Sequence, residues 1–336
     1  MADLRAQTRH RRELAQRPLG WESEVDLSWV LPYSGYVGSR AGRAQTKPIT
    51  IDFHVTSECS QECPYCWGPQ QIPALKTRTA RRIIDRVKYF GVQRIVFTGG
   101  DPLKRADTGR LIQHAKRLGL EVALSTTGDL LTEEFLRRYG PAIDLISLPL
   151  DGSCEEVCAL TKKVGHFAAI MHALELLGRH PHIDVKICTP VTRKNLHDIP
   201  AIAALVDRWA RGVGNRVFYN VFQTFPRAMK AVNWEEWLTS DREFRALRRR
   251  IRRARPRVKI NFLSTRTLDR LYVMVFPDGS LVIPSGQGFT AFGQFLEVKD
   301  LGAVLSRSKF DAARHLRHAR GWQPARPAAA ARIGRS

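Results

Sequence analysis

Apolar runs and amphipathic segments alternate along the chain from residue 47 to about residue 225. Short runs rich in aliphatic and β-branched residues predict strands at 48–55, 94–98, 120–126, 143–149, 183–190 and 216–222. The segments between them carry apolar residues at helical spacing and predict helices near 78–90, 104–118, 132–139, 166–178 and 197–211. Strands that alternate with helices are typical of a parallel sheet. The pattern predicts an α/β fold, either a partial (βα)6 TIM-barrel-like core or an open doubly wound sheet, with functional residues at the C-terminal strand ends.

The regular alternation of predicted strands and helices ends at about residue 228. We predict a long charged helix at 234–255, short strands at 271–276 and 280–283 joined by a Pro277-Asp278-Gly279 turn, and a helix near 301–317. The chain then divides into an N-terminal leader (1–45), the core (46–228), a C-terminal α+β extension (229–323) and a tail (324–336) that we expect to be disordered.

Composition and charge limit the possible functions. Hydrophobic residues make up 43% of the chain, enough for a packed core, and no apolar run reaches the ~20 residues that span a membrane. The arginine-rich N-terminus lacks the apolar segment of a secretory signal, so we expect a cytoplasmic protein. The net charge of +22 is concentrated in places, with eight arginines in 245–257. We interpret this charge as solvated surface; a nucleic-acid partner is possible but not favoured, because no RNP, KH or zinc-finger pattern is present.

Three of the six cysteines lie within eight residues, in the order Cys59, Cys63 and Cys66, directly after the first predicted strand. Clustered thiols in a cytosolic protein indicate metal or redox chemistry. Three thiolates on a four-iron cluster leave one iron open for catalysis, whereas a zinc site would need a fourth ligand. We interpret His54 as a core or strand-end residue, and the cysteines at 154, 158 and 188 as ordinary thiols.

The C-x3-C-x2-C spacing, with Tyr65 just before the third cysteine, resembles the signature of the radical SAM superfamily. Further matches follow in order over residues 48–225. Thr98–Pro102 resembles the family's Gly-Gly-Glu-Pro turn, with Asp101 in place of Glu. Ser125–Gly128 and Ser147–Gly152 resemble turns at the ends of later strands, and Asn195 stands where an asparagine often recurs.

This resemblance implies a [4Fe–4S] cluster held by the three cysteines and S-adenosylmethionine bound at the open iron. One-electron reduction would then yield a 5′-deoxyadenosyl radical that abstracts hydrogen from the substrate. The residues that the resemblance places near S-adenosylmethionine are Tyr65, Gly99, Gly100, Asp101, Ser125, Thr127, Ser147 and Asn195.

Residues after the core, and three side chains within it, give indications about the class of substrate. The hairpin at 276–284 resembles the start of the SPASM-like extension of peptide-modifying radical SAM enzymes, with Ser285 where an auxiliary-cluster cysteine would stand. The layout also resembles the viperin-like enzymes, which act on nucleotides. Lys186, Gln223 and Arg227 are candidates for binding a substrate carboxylate or phosphate in the barrel.

We therefore expect a radical SAM oxidoreductase or lyase that acts on a small polar or anionic metabolite, such as a nucleotide, a sugar or a natural-product intermediate. A reductase or flavodoxin-type protein would supply the electron. One alternative keeps the chemistry and makes the substrate a peptide. A second is an iron–sulfur electron-transfer or sensor protein, which would need four cysteine ligands. A third, favoured by the charge, is a nucleic-acid-modifying enzyme.

Overall fold

A computed structural model of the protein describes residues 48–227, 232–319 and 322. These residues form one ten-stranded sheet with helices between most of its strands. The strands are β1 (Thr50–Thr56), β2 (Arg94–Gly99), β3 (Glu121–Ser125), β4 (Leu145–Pro149), β5 (Asp184–Val191), β6 (Val217–Gln223), β7 (Lys259–Leu263), β8 (Met274–Val275), β9 (Ser280–Ser285) and β10 (Gly288–Gln294). The helices are α1 (Thr77–Tyr89), α2 (Thr108–Arg117), α3 (Glu133–Tyr139), α4 (Glu155–Cys158), α5 (His166–Gly178), α6 (Ile199–Arg211), α7 (Asp241–Arg253), α8 (Thr265–Leu268), α9 (Leu301–Arg307) and α10 (Ala312–Ala319).

The strand order distinguishes the two predicted architectures. The first six strands lie side by side in chain order, each parallel to the next. A doubly wound sheet reverses its order at a switch point, whereas a barrel adds its strands in sequence. The partial (βα)6 barrel is therefore confirmed. The extension adds β7 parallel to β6 at one edge, and β8, β9 and β10 beyond β1 at the other edge.

Several predicted elements differ from the structure. The prediction of one helix over 234–255 is wrong. Ser240 and Glu243 form a capping box that starts α7 at Asp241, and Trp234–Glu236 form a separate 3-10 turn before it. The helix near 301–317 is two helices, broken where Lys309 adopts a left-handed φ of 54°.

Two other elements are shorter than expected. The helix at 104–118 starts only at Thr108, after a 3-10 turn at Pro102–Lys104. Only Met274 and Val275 of the strand at 271–276 pair in the sheet. The predicted leader and tail lie outside the described residues.

The arginine-rich helix α7 buries one narrow face. Phe244, Leu247 and Ile251 pack into the core, while most arginines from Arg245 to Arg257 are exposed. This arrangement agrees with the interpretation of the charge as a solvated helix face. None of the helices that the structure describes is long and apolar enough to cross a membrane.

The two faces of the sheet differ in polarity because successive side chains point to opposite sides of a strand. On β1, Ile51, Phe53 and Val55 are buried in the main apolar core beneath the helices. Asp52 and His54 lie on the opposite side, which is the inner face of the partial barrel. Both are enclosed by the surrounding chain: burial raises the pKa of Asp52 to about 6 and lowers the pKa of His54 to about 3.

The C-terminal segment closes the N-terminal end of the inner face. Trp322 packs against Ala123 and Leu145 and donates its indole N–H to Asp184 at 2.5 Å. The guanidinium of Arg94 stacks on the Trp322 ring at 4.1 Å and donates to the carbonyls of Ala319 and Trp322. Trp322 is therefore packed in a buried cluster and joined to β2, 228 residues earlier in the chain.

We expect the half-buried histidine His318 to make the protein less stable at low pH. Burial lowers its pKa to about 3, and Lys186 and other nearby cations act in the same direction. An unfolded histidine titrates near 6.5, so the unfolded chain takes up a proton below that pH and the folded chain does not. The stabilisation present above pH 6.5 is thus lost as pH falls towards 3, by about 1.4 kcal/mol per pH unit.

The measurement is urea unfolding of the wild type and of His318→Phe at pH 7.0 and 5.5. Between these pH values the wild type should lose about 1 kcal/mol more of its unfolding free energy than the variant loses. Asp52 titrates with the opposite sign in both proteins and cancels from the comparison. The exposed His172 serves as the matched control, since His172→Phe should keep the wild-type pH dependence. Equal pH dependence in the wild type and His318→Phe would contradict the prediction.

Candidate active site

The three clustered cysteines lie in the loop that connects β1 to α1. Cys59, Cys63 and Cys66 are half-buried, and none forms a disulfide. Because the strands of the core are parallel, their C-terminal ends meet at one edge, and this loop lies beside the turns that follow the next strands. The structure thus places the cysteines at the edge where barrel enzymes hold their active sites.

The Gly99-Gly100 turn after β2 packs directly against the cysteine loop. Gly100 N donates to Thr56 O at 2.8 Å, and Asp101 N donates to Glu58 O at 2.7 Å. A Cβ built on Gly100 would lie 2.1 Å from Glu58 O, and one on Gly99 would lie 2.2 Å from Thr56 O. The glycines are therefore required for the close approach of two backbone segments. Their predicted contact with S-adenosylmethionine stays a prediction.

The Asp101 carboxylate ties this turn to the turn after β3. Its Oδ1 accepts hydrogen bonds from Thr126 Oγ1 at 2.7 Å and Leu103 N at 3.1 Å, and its Oδ2 accepts from Thr127 Oγ1 at 2.7 Å. Burial raises the pKa of Asp101 despite these hydrogen bonds. The Thr127 hydroxyl also lies 3.4 Å from Ser60 Oγ in the cysteine loop. Asp101 and Thr127 therefore lie at the predicted site, and their side chains hold one another.

Asp129 fixes the cysteine loop from the other side. Its Oδ2 accepts hydrogen bonds from Ser60 Oγ at 2.5 Å and Gln61 Nε2 at 2.7 Å, and its Oδ1 lies 2.8 Å from His166 Nδ1. Burial alone would raise the pKa of Asp129, but the hydrogen bonds from His166, Ser60 and Gln61 lower it to about 2. The carboxylate is thus charged at neutral pH and holds the first half of the loop in place.

A buried network behind the loop contains Tyr65, Asp151 and Lys162. The Tyr65 hydroxyl and Thr161 Oγ1 both donate to Asp151 Oδ2, the latter at 2.9 Å. Lys162 Nζ lies 3.6 Å from the same carboxylate oxygen and donates to Cys63 Sγ at 3.0 Å. Burial by itself lowers the pKa of Lys162, but Asp151, Tyr65 and Cys63 together raise it well above its ordinary value. The Lys162 ammonium is therefore charged at neutral pH and lies in contact with the Cys63 sulfur.

The other two cysteine sulfurs accept backbone hydrogen bonds. Gln61 N donates to Cys59 Sγ at 3.4 Å, and Gly68 N donates to Cys66 Sγ at 3.3 Å. Burial raises the pKa of the Cys59 thiol to about 11, so this thiol must lose its proton when it binds a metal. N–H donors of this kind stabilise the negative charge of a metal-bound thiolate.

These features fit an iron–sulfur cluster. Across residues 48–227, 232–319 and 322, no three His, Cys, Asp or Glu side chains converge closely enough to hold one metal ion. A four-iron cluster does not need such convergence, because each thiolate binds a different iron. Three separated thiols in a short loop, each with an N–H donor, are the donor set that a cluster requires.

Three of the predicted site residues form one row across the inner face. Ser125, Ser147 and Lys186 are register partners on β3, β4 and β5. Ser147 Oγ lies 3.3 Å from the sulfur of Cys188, on the same strand as Lys186. Lys186 is the register partner of Ser147 and therefore lies on the same face of the sheet. The structure therefore brings these side chains together, and their ligands stay predictions.

Two other predicted residues use their amides to hold the backbone. Asn195 is fully buried, donates to Asp151 O and Pro190 O, and accepts from Thr192 N at 2.8 Å. Gln223 donates to Asp241 Oδ1 at 2.9 Å, at the start of α7. The structure thus shows both amides in structural contacts at strand ends, and their binding roles stay predictions.

Arg227 is fully buried in an aromatic cage beside the cysteine loop. Its guanidinium lies 4.5 Å from the Trp67 ring centre and 4.4 Å from that of Phe225. Its Nε donates to Gly286 O at 3.1 Å, and its Nη2 lies 3.3 Å from Asp269 Oδ1. Nη1 has no hydrogen-bond partner in the structure as described. Burial lowers the pKa of Arg227 to about 10, so it is a cation at neutral pH and its Nη1 amino group can donate to a ligand.

Sequence reasoning missed Lys162 and Asp129, which hold the cysteine loop. Neither residue belongs to a recognisable motif, and their partners lie 99 residues away (Lys162 to Cys63) and 69 residues away (Asp129 to Ser60). Asp151 falls within the Ser147–Gly152 turn that the sequence singled out, but the turn does not indicate which residues its carboxylate meets. The one signal in the sequence is their position along the chain, since all three residues lie in the connections that follow β3 and β4.

Comparison with known proteins agrees with this geometry. Residues 53–206 match the family model of the radical SAM superfamily. The chain contains a radical SAM domain. The match begins on β1, includes the cysteine loop and ends within α6. Enzymes of this superfamily use a [4Fe–4S] cluster and S-adenosylmethionine, so the prediction of these two cofactors is confirmed.

The chain is similar to several curated proteins and solved structures. It is 29% identical over 194 residues to mycofactocin maturase MftC of Mycobacterium ulcerans, covering 56% of this chain and 51% of that protein. It is 30% identical over 185 residues to the AdoMet-dependent heme synthase of Methanosarcina barkeri, covering 53% of this chain and 51% of that protein. The chain thus spans about half the length of the curated relatives it matches.

The structural similarity extends beyond the radical SAM domain. Streptococcus suis SuiB, in its complex with the precursor peptide SuiA, superposes with a TM-score of 0.62 at 14% identity, covering 80% of this chain and 66% of that chain. Residues 53–206 are less than half of the 336-residue chain, so the superposition also includes parts outside that range. The partial barrel with a C-terminal extension is therefore a known architecture.

Proposed function

We propose that this protein is a radical SAM enzyme that modifies a peptide. Cys59, Cys63 and Cys66 hold the cluster, and the turns around Gly100 and Thr127 line the binding site for S-adenosylmethionine. When bound, the reduced cluster and S-adenosylmethionine supply a 5′-deoxyadenosyl radical that abstracts a hydrogen atom. The observation that carries this proposal is the fixed three-cysteine loop at the C-terminal edge of a radical SAM domain.

The chain's own residues have separate tasks in this reaction. Asp129 and the Gly99-Gly100 turn hold the cysteine loop in one geometry, so that three thiols are positioned before a cluster binds. Tyr65, enclosed between Asp151 and Trp237, would shield a cluster held by the loop from water. Ser125 and Ser147 present hydroxyl groups on the inner face, where they can bind polar groups of S-adenosylmethionine.

The substrate side of the site contains two buried nitrogen atoms without a hydrogen-bond partner in the described residues. They are Nη1 of Arg227 and Nδ1 of His54. Phe276 and Phe289 connect the two side chains through ring contacts of 5.2 to 5.6 Å. A buried unsatisfied donor costs about 1–3 kcal/mol, which a hydrogen bond to a substrate carbonyl or carboxylate oxygen would recover. A peptide carries such groups at every residue.

The relatives support a peptide substrate better than the small metabolite that the sequence led us to expect. SuiB is described in complex with a precursor peptide and superposes on 80% of this chain, and MftC is named as a maturase. A second candidate substrate is a small apolar or anionic molecule. It is favoured by the match to the heme synthase, whose identity and matched length are similar to those of MftC. The electron donor, a reductase or flavodoxin-type protein, stays a prediction.

We expect the anaerobically reconstituted protein, with dithionite and S-adenosylmethionine, to form 5′-deoxyadenosine. A random 20-residue peptide library should raise the rate about tenfold over the substrate-free reaction, since substrate binding aligns the hydrogen donor with the radical. The measurement is 5′-deoxyadenosine by liquid chromatography and mass spectrometry, with a mass change in the reacting peptides.

Two controls distinguish the candidates. Nucleotides and a tetrapyrrole serve as small-molecule probes at the same concentration. Stimulation by one of these probes and not by peptides would replace the peptide proposal with the second candidate. Failure to form 5′-deoxyadenosine in a preparation that contains iron would overturn the radical SAM proposal itself.

A further inference from the structure

The three cysteine sulfurs differ in the charge of the group that donates to them. Cys59 and Cys66 accept from neutral backbone amides at 3.4 and 3.3 Å. Cys63 accepts from the ammonium of Lys162 at 3.0 Å. A charged donor makes a hydrogen bond about twice as strong as a neutral one. The electrostatic environment of Cys63 Sγ therefore differs from that of the other two sulfurs.

Lys162 is held firmly in this position. Its side chain is only 6% exposed, its Nζ lies 3.6 Å from Asp151 Oδ2, and it lies 5.4 Å from the Tyr65 ring centre. Asp151 is itself fixed by hydrogen bonds from Tyr65 and Thr161. A cation that is buried and clamped in this way interacts with a neighbouring charge much more strongly than a surface lysine does.

We propose that Lys162 raises the reduction potential of the cluster by donating a charged hydrogen bond to Cys63 Sγ, and this inference rests on the cluster ligands of the proposed function. The electron that enters the cluster adds negative charge, part of which is carried by the thiolate sulfurs. A cation beside one sulfur stabilises the reduced form more than the oxidised form. Lys162 thus makes the cluster easier to reduce through its hydrogen bond to Cys63 Sγ.

The neighbouring residue provides a matched control. Lys163 carries the same charge one position along the chain, but its side chain is 52% exposed and pairs with Glu62 at 2.8 Å. Water and salt screen such a surface charge. Lys163→Met therefore removes one positive charge from the same segment without removing a donor to the cysteine triad.

The test is a redox titration of the reconstituted cluster, followed by electron paramagnetic resonance and normalised to iron content. In Lys162→Met the ratio of reduced to oxidised cluster at a fixed potential should fall about tenfold, which is about 59 mV for one electron. Lys162→Arg keeps the charge and should stay close to the wild type, and Lys163→Met should not shift. An unchanged potential in iron-loaded Lys162→Met would overturn the inference.

A second variant covers the case in which Lys162→Met leaves Asp151 as an unpaired buried charge and does not fold. Lys162→Met/Asp151→Asn removes both charges and is compared with Asp151→Asn, relative to which the same tenfold fall is expected because only the lysine charge differs. Absence of a cluster from the wild-type protein would overturn the proposed function and, with it, this inference. A loaded variant with the wild-type potential overturns this inference alone.

Discussion

The variant Cys59→Ala/Cys63→Ala/Cys66→Ala should lose both its iron and the cleavage of S-adenosylmethionine. Formation of 5′-deoxyadenosine should fall about a thousandfold or more, because no side chain of the protein can replace the chemistry of the cluster. The three thiols lie on separate parts of one loop and would bind separate irons, so the loss should be close to complete. The measurements are iron per chain after reconstitution and 5′-deoxyadenosine by mass spectrometry.

The same variant should keep its fold. The variant loses the hydrogen bonds to the three sulfurs. The loop keeps its backbone and carboxylate contacts, including those of Asp129 with Ser60 and Gln61. The melting temperatures of the metal-free wild type and the metal-free variant should therefore agree within a few degrees. Cys154→Ser is the matched control, since Cys154 is a half-buried free thiol outside the triad and should not affect iron binding. Retention of wild-type iron by the triple variant would be incompatible with the proposed ligands.

The sequence predicts the parallel core well because its signals are local. Each of the six core strands is a short apolar run bounded by turn residues, and each predicted strand overlaps the observed one. The cysteine spacing is local too, and it places the loop directly after β1. β7 was not predicted, because its sequence Lys-Ile-Asn-Phe-Leu follows the arginine-rich helix and has only three apolar residues.

Contacts between distant residues account for what the sequence does not predict. Arg94 meets the carbonyl of Trp322 across 228 residues, and Lys162 meets Cys63 across 99. Periodicity contains no information about such partners, because it shows only which face of an element is buried. Residue type is also ambiguous: Asn195 and Gln223 are suitable ligands by chemistry, yet their amides bind the backbone and the start of α7.

The Gly99-Gly100 turn also has a partner that the sequence does not predict. The sequence indicates that the Gly99-Gly100 pair allows a close approach, and we expected the approaching group to be a ligand. The structure shows that the cysteine loop itself makes the approach. The turn therefore acts on the cluster through the loop, whatever further contact it makes with S-adenosylmethionine.

Gly100→Ala should consequently damage the site although it adds a single methyl group. The new Cβ would lie 2.1 Å from Glu58 O and 2.6 Å from Ser57 O, and both are backbone atoms that cannot rotate away. The loop must move, or the hydrogen bonds from Gly100 N to Thr56 O and from Asp101 N to Glu58 O must break. We expect a loss of about 3 kcal/mol in the free energy of unfolding, from overpacking and lost hydrogen bonds.

Cluster loading should fall with it, because Glu58 immediately precedes Cys59 and a shift of the loop displaces the first thiolate. A site that is about 1 Å out of place typically loses most of its function. The measurements are urea unfolding and iron per chain, with Gly288→Ala as the control because a Cβ there meets no atom within 4 Å. Normal iron content and wild-type stability in Gly100→Ala would show that the cysteine loop tolerates displacement, and that its geometry is set by Asp129 rather than by the glycine turn.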